Sequence, residues 1–387
     1  MHLVEVTDKK TAKEFIEVNV LINKNDPNYI RPLDKDINET FDPKKNKAFR
    51  NGEAIRWILK DSEGKLIGRI AAFLNKKYKT KGDEGIVGGV GFFDCINDQS
   101  AADILFDVSK HWLLQRDCYA MDGPINFGER DRWWGLLVNG FDPPVYCLNY
   151  NPPYYKQLFE HYGFKTFFEQ YCYAAKIAQR LQPKFYERHA LCAADPAFSA
   201  RQIKKDELKK FAKDFTVAYN KAWAGHGGLK QITEKVVMKM FQAMKPVMDE
   251  RINWFIYYNE DPIAIWLNLP DLNQWFKYLN GKFDLWHKLK FLRIKKTKKC
   301  NKMTGIIFGV VPEFQGKGVD AYMIVEGAKV IQNGPIYEDL EMQWIGDFNP
   351  KMINVAEAID CYRSRTLITY RYLFDRTKEF KRHPKLV

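Results

Sequence analysis

Serine is scarce in this chain. There are five among 387 residues (Ser62, Ser100, Ser109, Ser199 and Ser364), none in a G-x-S-x-G elbow, so serine-hydrolase chemistry is poorly supported. The seven cysteines (Cys95, Cys118, Cys147, Cys172, Cys192, Cys300 and Cys361) are far apart, odd in number and never in a C-x-x-C pair. That spacing suggests neither a zinc site nor a disulfide framework, and the thiols read as small buried hydrophobes. The seven histidines form no H-E-x-x-H and no pair at ligand spacing, so no metal is expected. No uncharged apolar run reaches the roughly 20 residues of a membrane span; Ile263–Pro270 and Met303–Pro312 are strand-sized. The opening Met1-His2-Leu3-Val4-Glu5-Val6 has no apolar core of a signal peptide, which predicts a soluble, cytoplasmic protein.

What is present is ordinary globular material with a positive balance. Hydrophobic residues make up 46% and charged ones 28%, enough for one large domain or two and against wholesale disorder. There are 61 Lys and Arg against 48 Asp and Glu, a net charge of +13. The excess concentrates in 287–302, which holds Lys288, Lys290, Arg293, Lys295, Lys296, Lys298, Lys299 and Lys302, and in the tail at Lys378, Lys381, Arg382 and Lys385. The 287–302 stretch suits a phosphate-bearing ligand, an acidic partner protein or anionic lipid, or else is a solvated insertion loop. Phe291, Leu292 and Ile294 interleave with its charges and favour a surface partner such as a membrane. Nucleic acid is the disfavoured partner, since no recognition motif accompanies the patch.

One order of elements can be read twice. Helical periodicity at Lys10–Ile22 precedes strand-like runs at Ala54–Lys60, Leu66–Leu74 and Val87–Asp94. A capped helix at Ala101–Arg116, a short strand at Cys118–Met121, a helix at Pro153–Tyr162 and a strand at Phe164–Ala175 complete the first pass. The second pass predicts helices at Glu207–Ala222 and Thr233–Met248, then strands at Arg251–Tyr258, Asp261–Leu269 and Met303–Val311. It ends with a helix at Ala321–Ile331, a strand at Asp339–Ile345, a helix at Lys351–Tyr362 and a strand at Leu367–Phe374. Two similar α/β (α+β) domains follow, each a mixed, mostly antiparallel sheet flanked by helices, at 1–180 and 206–387 with 181–205 as linker.

The sharpest local signal is Val310-Val311-Pro312-Glu313-Phe314-Gln315-Gly316-Lys317-Gly318-Val319, an apolar strand entering a glycine turn and then a helix. Such a turn presents backbone N–H groups at the positive end of a helix dipole, where a phosphate can sit. A plain strand–turn–helix, its glycines serving only the turn, accounts for the same residues. The P-loop pattern fails, because no Ser or Thr follows Lys317 and no glycine stands five residues before Gly316.

With Pro312, Gln315 and Gly318 in place, the segment resembles the acyl-CoA motif of the GCN5-related N-acetyltransferase (GNAT) superfamily; Asp320, where that motif has Gly or Ala, is a departure. The run Asn149–Phe164 looks like the family's late motif, in which Asn opens a helix, a Tyr lies inside it and Gly-Phe ends it. Asn25–Leu33, Gly68–Phe73, Gly123–Gly128 and Gly140–Asp142 extend the likeness to a bacterial group of tandem-GNAT proteins.

The resemblance implies an N-acyltransferase that moves an acyl group from acetyl-CoA, or another acyl-CoA, to an unknown small-molecule or peptide amine. The thioester would be held by Gly309, Val310, Val311, Gln315, Gly316, Lys317, Gly318 and Val319, the strand amides polarising its carbonyl. Glu341, on the following strand, is the expected base, with Glu313 as an alternative, and Tyr362 is the expected acid. Tyr154 and Tyr155 are expected at the substrate. No such loop follows Phe92-Phe93-Asp94, so the N-terminal domain is expected to lack a CoA site. The rival expectations are an aminoacyl-tRNA-dependent transferase of the same duplicated kind, and a non-catalytic protein that works through its basic insertion.

Overall fold

A computed structural model describes residues 1–223, 231–334 and 336–385. Strand β1 (His2–Glu5) leads to α1 (Lys9–Asn23), which starts at a capping box: the Thr11 N–H donates to Asp8, and the Asp8 N–H donates to Thr11 Oγ1. The first half continues through α2 (Asp34–Thr40), β2 (Gly52–Lys60), β3 (Leu66–Asn75), β4 (Ile86–Cys95), α3 (Gln99–Leu114) and β5 (Cys118–Gly123). It closes with β6 (Leu136–Asn139), α4 (Tyr155–Tyr162) and β7 (Lys165–Lys176). Gly163, at φ +107, ends α4 as the only residue type at ease there.

The second half comprises α5 (Pro183–Ala193), β8 (Phe198–Gln202), α6 (Leu208–Trp223), α7 (Glu234–Met244), β9 (Trp254–Tyr258) and β10 (Asp261–Pro270). After α8 (Asn273–Phe276) and α9 (Leu285–Thr297) come β11 (Lys302–Val310), α10 (Val319–Ile331), β12 (Asp339–Met342), β13 (Ile345–Gly346), α11 (Pro350–Ala358) and β14 (Tyr362–Leu373). Three expectations change here. The stretch expected as linker carries α5, begun by a proline at its first position, and edge strand β8. The basic insertion is helical over Leu285–Thr297 rather than an irregular loop. The helix expected to reach Tyr362 stops at Ala358, and Asp360 at φ +57 turns the chain so that Tyr362 opens β14.

The strands form one sheet in the order β1-β2-β3-β4-β5-β14-β7-β12-β11-β10-β9-β8, with β6 against β14 and β13 against β7. Among the described strands only β4–β5 and β11–β12 run parallel. The order is the same series read inward from both edges, with one exchange at the centre. The last strand of each half stands beside the other half: β14 pairs with β5, and β7 pairs with β12. The two exchanged strands then pair with each other from Tyr362↔Ala174 to Arg371↔Lys165. The mixed α/β architecture read from the sequence is therefore present.

Alternation along the strands separates two helical layers. On β2, Trp57 and Leu59 face α3 and α4, whereas Ile58 faces α1. In the second half, Phe255 and Tyr257 on β9 face α6 and α7, and Trp254 and Ile256 face α10. The α8–α9 insertion ties the halves together at one end. Asn273 Nδ2 donates to the Pro144 carbonyl at 2.8 Å, the Tyr146 N–H donates to Asp271 at 3.2 Å, and the Asp34 N–H donates to the Gly281 carbonyl at 2.8 Å.

The exchange makes each half incomplete alone, since without β14 both β5 and β7 expose unpaired edges. Residues 1–180 expressed alone should be insoluble or molten, and co-expression with 181–387 should restore a soluble complex. Solubility and hydrogen exchange of the fragment check this; a cooperatively folded 1–180 would contradict it.

Candidate functional site

Strands β11 and β12 run together only as far as Gly305↔Met342. At that level an extra residue, Ile306, bulges from the β10–β11 ladder, because Leu267 faces Ile307 while Asn268 faces Gly305. After Met342 the chain leaves to form β13 on β7, so the two parallel strands splay apart. The Val311 N–H already donates to the Ile263 carbonyl at 2.9 Å. Ladder alternation then directs the N–H groups of Phe308 and Val310 to the open edge and that of Gly309 toward β10. Of the three amides expected to polarise a thioester, only that of Val310 faces the splay.

The following loop is shaped for an anion. Gln315 Nε2 donates to the Val310 carbonyl at 3.0 Å and folds the loop back on its strand. Gly316 (φ +75) and Gly318 (φ +85) are both left-handed, which favours glycine at each position. Side chains cap α1, α3, α9 and α11, namely Asp8, Asp98, Asp284 and Asn349, whereas α10, like α2, α4, α5, α7 and α8, has no side-chain cap. The first N–H groups of α10 are thus left without a side-chain partner at the positive end of its dipole. A Cβ on Gly316 would meet nothing within 4 Å, so the approach is open. The exposed Lys317 and Arg188 lie close by, the latter so near that a Cβ on Gly318 would sit 3.3 Å from its Cβ. Val319 is fully buried, backbone included. Asp320 lies on the α5 flank, where its charge and burial together push the Cys192 thiol up, burial being the larger cause.

At the corresponding place in the first half side chains take up the helix cap and the strand edge, and a small cavity of about 50 Å³ remains, lined by Asn19, Arg69, Asp94 and Tyr155. The Asp98 carboxylate takes the Ala101 N–H at 3.1 Å, and the Tyr155 and Tyr154 hydroxyls bond the Cys95 N–H and carbonyl at 3.0 and 2.7 Å. Tyr155 also donates to Asp94 at 3.1 Å, within a buried network where Arg69 (2.6 Å) and Asn19 (3.0 Å) hold the same carboxylate. Burial pushes the Asp94 carboxyl up despite the Arg69 charge.

A cavity of about 740 Å³ occupies the splay of the second half. Tyr219 of α6 and Met240 of α7 line it on one face of the sheet, and Ile324, Ala328 and Ile331 of α10 with Met352 and Val355 of α11 on the other. Ile306, Ile307 and Phe308 of β11 line the opening between them. The first half adds Ala175, Ile177 and Leu181 from the end of β7 and its continuation, and Arg130 and Asp131 from the loop before β6. Gln343 also lines it, and its buried Oε1 has no hydrogen-bond partner among the described residues. Sequence reasoning missed these residues, since they come from many separate segments and no local pattern joins them.

The residues expected to be catalytic lie elsewhere. Glu341 is 1% exposed and clamped by Arg365 at 2.6 Å and Lys302 at 3.0 Å. Burial pushes its carboxyl up, but those two charges outweigh burial and hold it below the ordinary glutamate value. A carboxylate so stabilised is a weak base, and it does not line the cavity. Tyr362 is 56% exposed at the start of β14 and also does not line it. Glu313 is exposed on the turn before the loop. Tyr154 and Tyr155 belong to the buried network of the first half.

Glu341 is thus a structural anchor. Glu341→Gln would leave Arg365, itself 2% exposed, without its counter-charge and should destabilise the protein by about 3–5 kcal/mol in denaturant titration. Because the folded carboxyl titrates below the unfolded one, this contribution is present above the unfolded glutamate value and is lost as pH falls through the folded value. The wild-type advantage over the variant should therefore shrink at acid pH.

No family model matches the chain. It is similar to a bacterial ceramide synthase of Caulobacter vibrioides, 24% identical over 375 residues and covering 96% of this chain and 97% of that protein. It is also similar to protein YghO of Escherichia coli, 24% identical over 358 residues and covering 91% and 90% of the two chains. Among solved structures it resembles a tandem GNAT protein from the clavulanic acid biosynthesis pathway, with TM-score 0.55, 10% identity and coverage of 96% and 98%. A GCN5-related N-acetyltransferase from Sphaerobacter thermophilus matches with TM-score 0.51, 9% identity and coverage of 96% and 95%. These likenesses span nearly the whole chain, which carries the GNAT fold in tandem.

Proposed function

We propose that the protein is an N-acyltransferase, its two tandem units 1–180 and 206–387, that moves a long acyl chain from a CoA thioester to the amine of a lipid-like acceptor. The observation that carries this reading is the apolar cavity of about 740 Å³ in the splay, walled by Ile324, Ala328 and Ile331 of the helix whose start has no side-chain cap. Its volume lies in the upper part of the range for small-molecule sites. An acetyl group would leave most of it unfilled, whereas each buried methylene adds about 0.8 kcal/mol, roughly fourfold in affinity. A longer acyl group than the acetyl expected from the sequence is therefore favoured. The similarity to a bacterial ceramide synthase agrees, a ceramide being the amide of a fatty acid and a long-chain amino alcohol.

In this reading the loop Gln315–Gly318 and the α10 amides hold the CoA phosphates, with Lys317 and Arg188 adding charge. The Val310 N–H draws electron density from the thioester carbonyl. The acceptor amine attacks that carbon, the N–C bond forms and the C–S bond breaks, the amine loses a proton and the thiolate gains one. Asp131 is the one carboxylate among the described lining residues and takes the amine's proton. The unpartnered Gln343 Oε1 offers an acceptor for a hydroxyl or amine of the incoming molecule.

Hexadecanoyl-CoA and acetyl-CoA, each offered with a long-chain amino alcohol, separate the possibilities, with amide read by mass spectrometry and CoA release by thiol titration. Hexadecanoyl transfer should exceed acetyl transfer by at least tenfold. Equal transfer of the two, or no thioester cleavage, would overturn the reading.

Two variants sharpen it. Gly318→Glu places a strained carboxylate at the helix start and should abolish CoA binding in calorimetry. Ala328→Phe, inside the cavity, should shift the preferred acyl chain to shorter lengths while leaving CoA affinity within about twofold.

A further inference from the structure

Helix α9 turns two apolar faces in opposite directions. At 100° per residue, Phe291 and Ile294 fall on one side, and Leu285, Leu289 and Leu292, with Trp286 beside them, fall on the other. The first pair is buried, at 6% and 7% exposure. The second group lies open to solvent: Leu285 at 73%, Trp286 at 79%, Leu289 at 54% and Leu292 at 52%. Single exposed apolar residues are commonplace, but three on one ridge of one helix, with a tryptophan on its flank, are not.

The same helical arithmetic puts Lys288 and Lys295 along one flank of that ridge and Lys290 and Arg293 along the other, with Lys296 at its far end. Residues 285–302 contain eight Lys and Arg and no Asp or Glu. Lys299 and Lys302 pair with Glu338 and Glu341, at 2.6 and 3.0 Å, but those on α9 have no carboxylate partner among the ion pairs of the described residues; Lys290 and Lys295 donate to the Tyr278 and Pro246 carbonyls, and Lys288, Arg293 and Lys296 carry the charge outward.

We propose that α9 is a docking helix for an anionic lipid bilayer, its Leu285–Leu289–Leu292 ridge, with Trp286 on one flank, entering the headgroup boundary and its cations meeting acidic lipids. An apolar stripe bordered by Lys and Arg, with Trp at one end, is the arrangement that lies in a membrane interface. Charge selects the occupant, since a like-charged second copy would bring two such basic flanks together. A convex ridge also suits a deformable surface better than a rigid pocket. The buried face of α9 joins a cluster containing Met303, Ile331 and Leu340, which also line the large cavity. The membrane-facing helix and the cavity therefore stand back to back across one layer of side chains. This inference concerns where the protein sits and holds with or without acyl transfer.

Flotation of the full chain with phosphatidylcholine vesicles, with and without 30% phosphatidylglycerol, tests it at low and high salt. The protein should float with the anionic vesicles only, and high salt should weaken this strongly. Trp286→Ser/Leu289→Ser/Leu292→Ser should lower partitioning at least tenfold with an unchanged melting curve. Lys288→Glu/Arg293→Glu should do the same through charge alone, which covers the case of a misfolded triple variant. Failure to float with anionic vesicles, equal partitioning of wild type and variants, or equal binding to neutral vesicles would overturn the proposal. So would light scattering showing that the triple variant turns a dimer into a monomer, for the ridge would then be an interface between copies.

Discussion

The sheet depends on two buried arginines carried by its last strand. Arg365 reaches the second half through Glu341 on β12 at 2.6 Å, and its other N–H groups take the carbonyls of Gly140, Asp142 and Pro143 at 2.7–2.8 Å. Arg371 reaches the first half through Asp122 on β5 at 2.6 Å and Asp83 at 2.8 Å. β14 is thus fastened to both halves by charges that water does not reach. Sliding it by one residue would turn its side chains to the other face and leave both guanidinium groups buried without their carboxylates. Apolar packing alone could tolerate several registers for a strand inserted between two others, and the two ion networks admit one.

The exchange of β7 and β14 also makes the cavity what it is. β12 pairs with β7 for three residues and then gives way to β13 on the same strand. The end of β7 and the chain leading to α5 consequently form part of the cavity wall, through Ala175, Ile177 and Leu181. A unit that closed on its own final strand would have no first-half residues there. The duplicated fold therefore supplies more than a second copy of a domain, since part of one unit's wall comes from the other.

The sequence displayed what is local. Capping residues, glycine turns and apolar periodicity placed most elements within a few residues, and the strand–glycine–helix segment stood out from its residue types alone. What the sequence hid depends on pairing at a distance. Glu341 read as a strand carboxylate available for catalysis, and only the arrival of Lys302 and Arg365, 39 and 24 positions away, shows it to be neutralised. Tyr362 read as a helix residue because nothing in its composition announces the left-handed Asp360 that stops α11 early. In the basic insertion the lysines masked a helix whose two apolar faces oppose each other and so cancel the usual one-sided pattern. The cavity left no trace, as cavities are made by what several segments fail to fill.

The two halves share an order of elements yet treat the same helix terminus in opposite ways. In the first, Asp98 occupies the cap of α3, and its carboxylate both satisfies an N–H and places a negative charge where an incoming phosphate would have to lie. In the second, Gly318 occupies the cap of α10 in the left-handed region and leaves the N–H groups to whatever arrives. The tyrosine hydroxyls on Cys95 complete the closure by occupying the strand edge that in the second half opens onto the cavity. Stability favours the capped version, because the Ala101 N–H and both backbone groups of Cys95 find partners within the chain. A terminus without a side-chain cap and a large unfilled splay both cost stability. The two halves thus answer the same backbone geometry differently, the first with its own side chains and a cavity of about 50 Å³, the second with a glycine at the cap and a cavity of about 740 Å³.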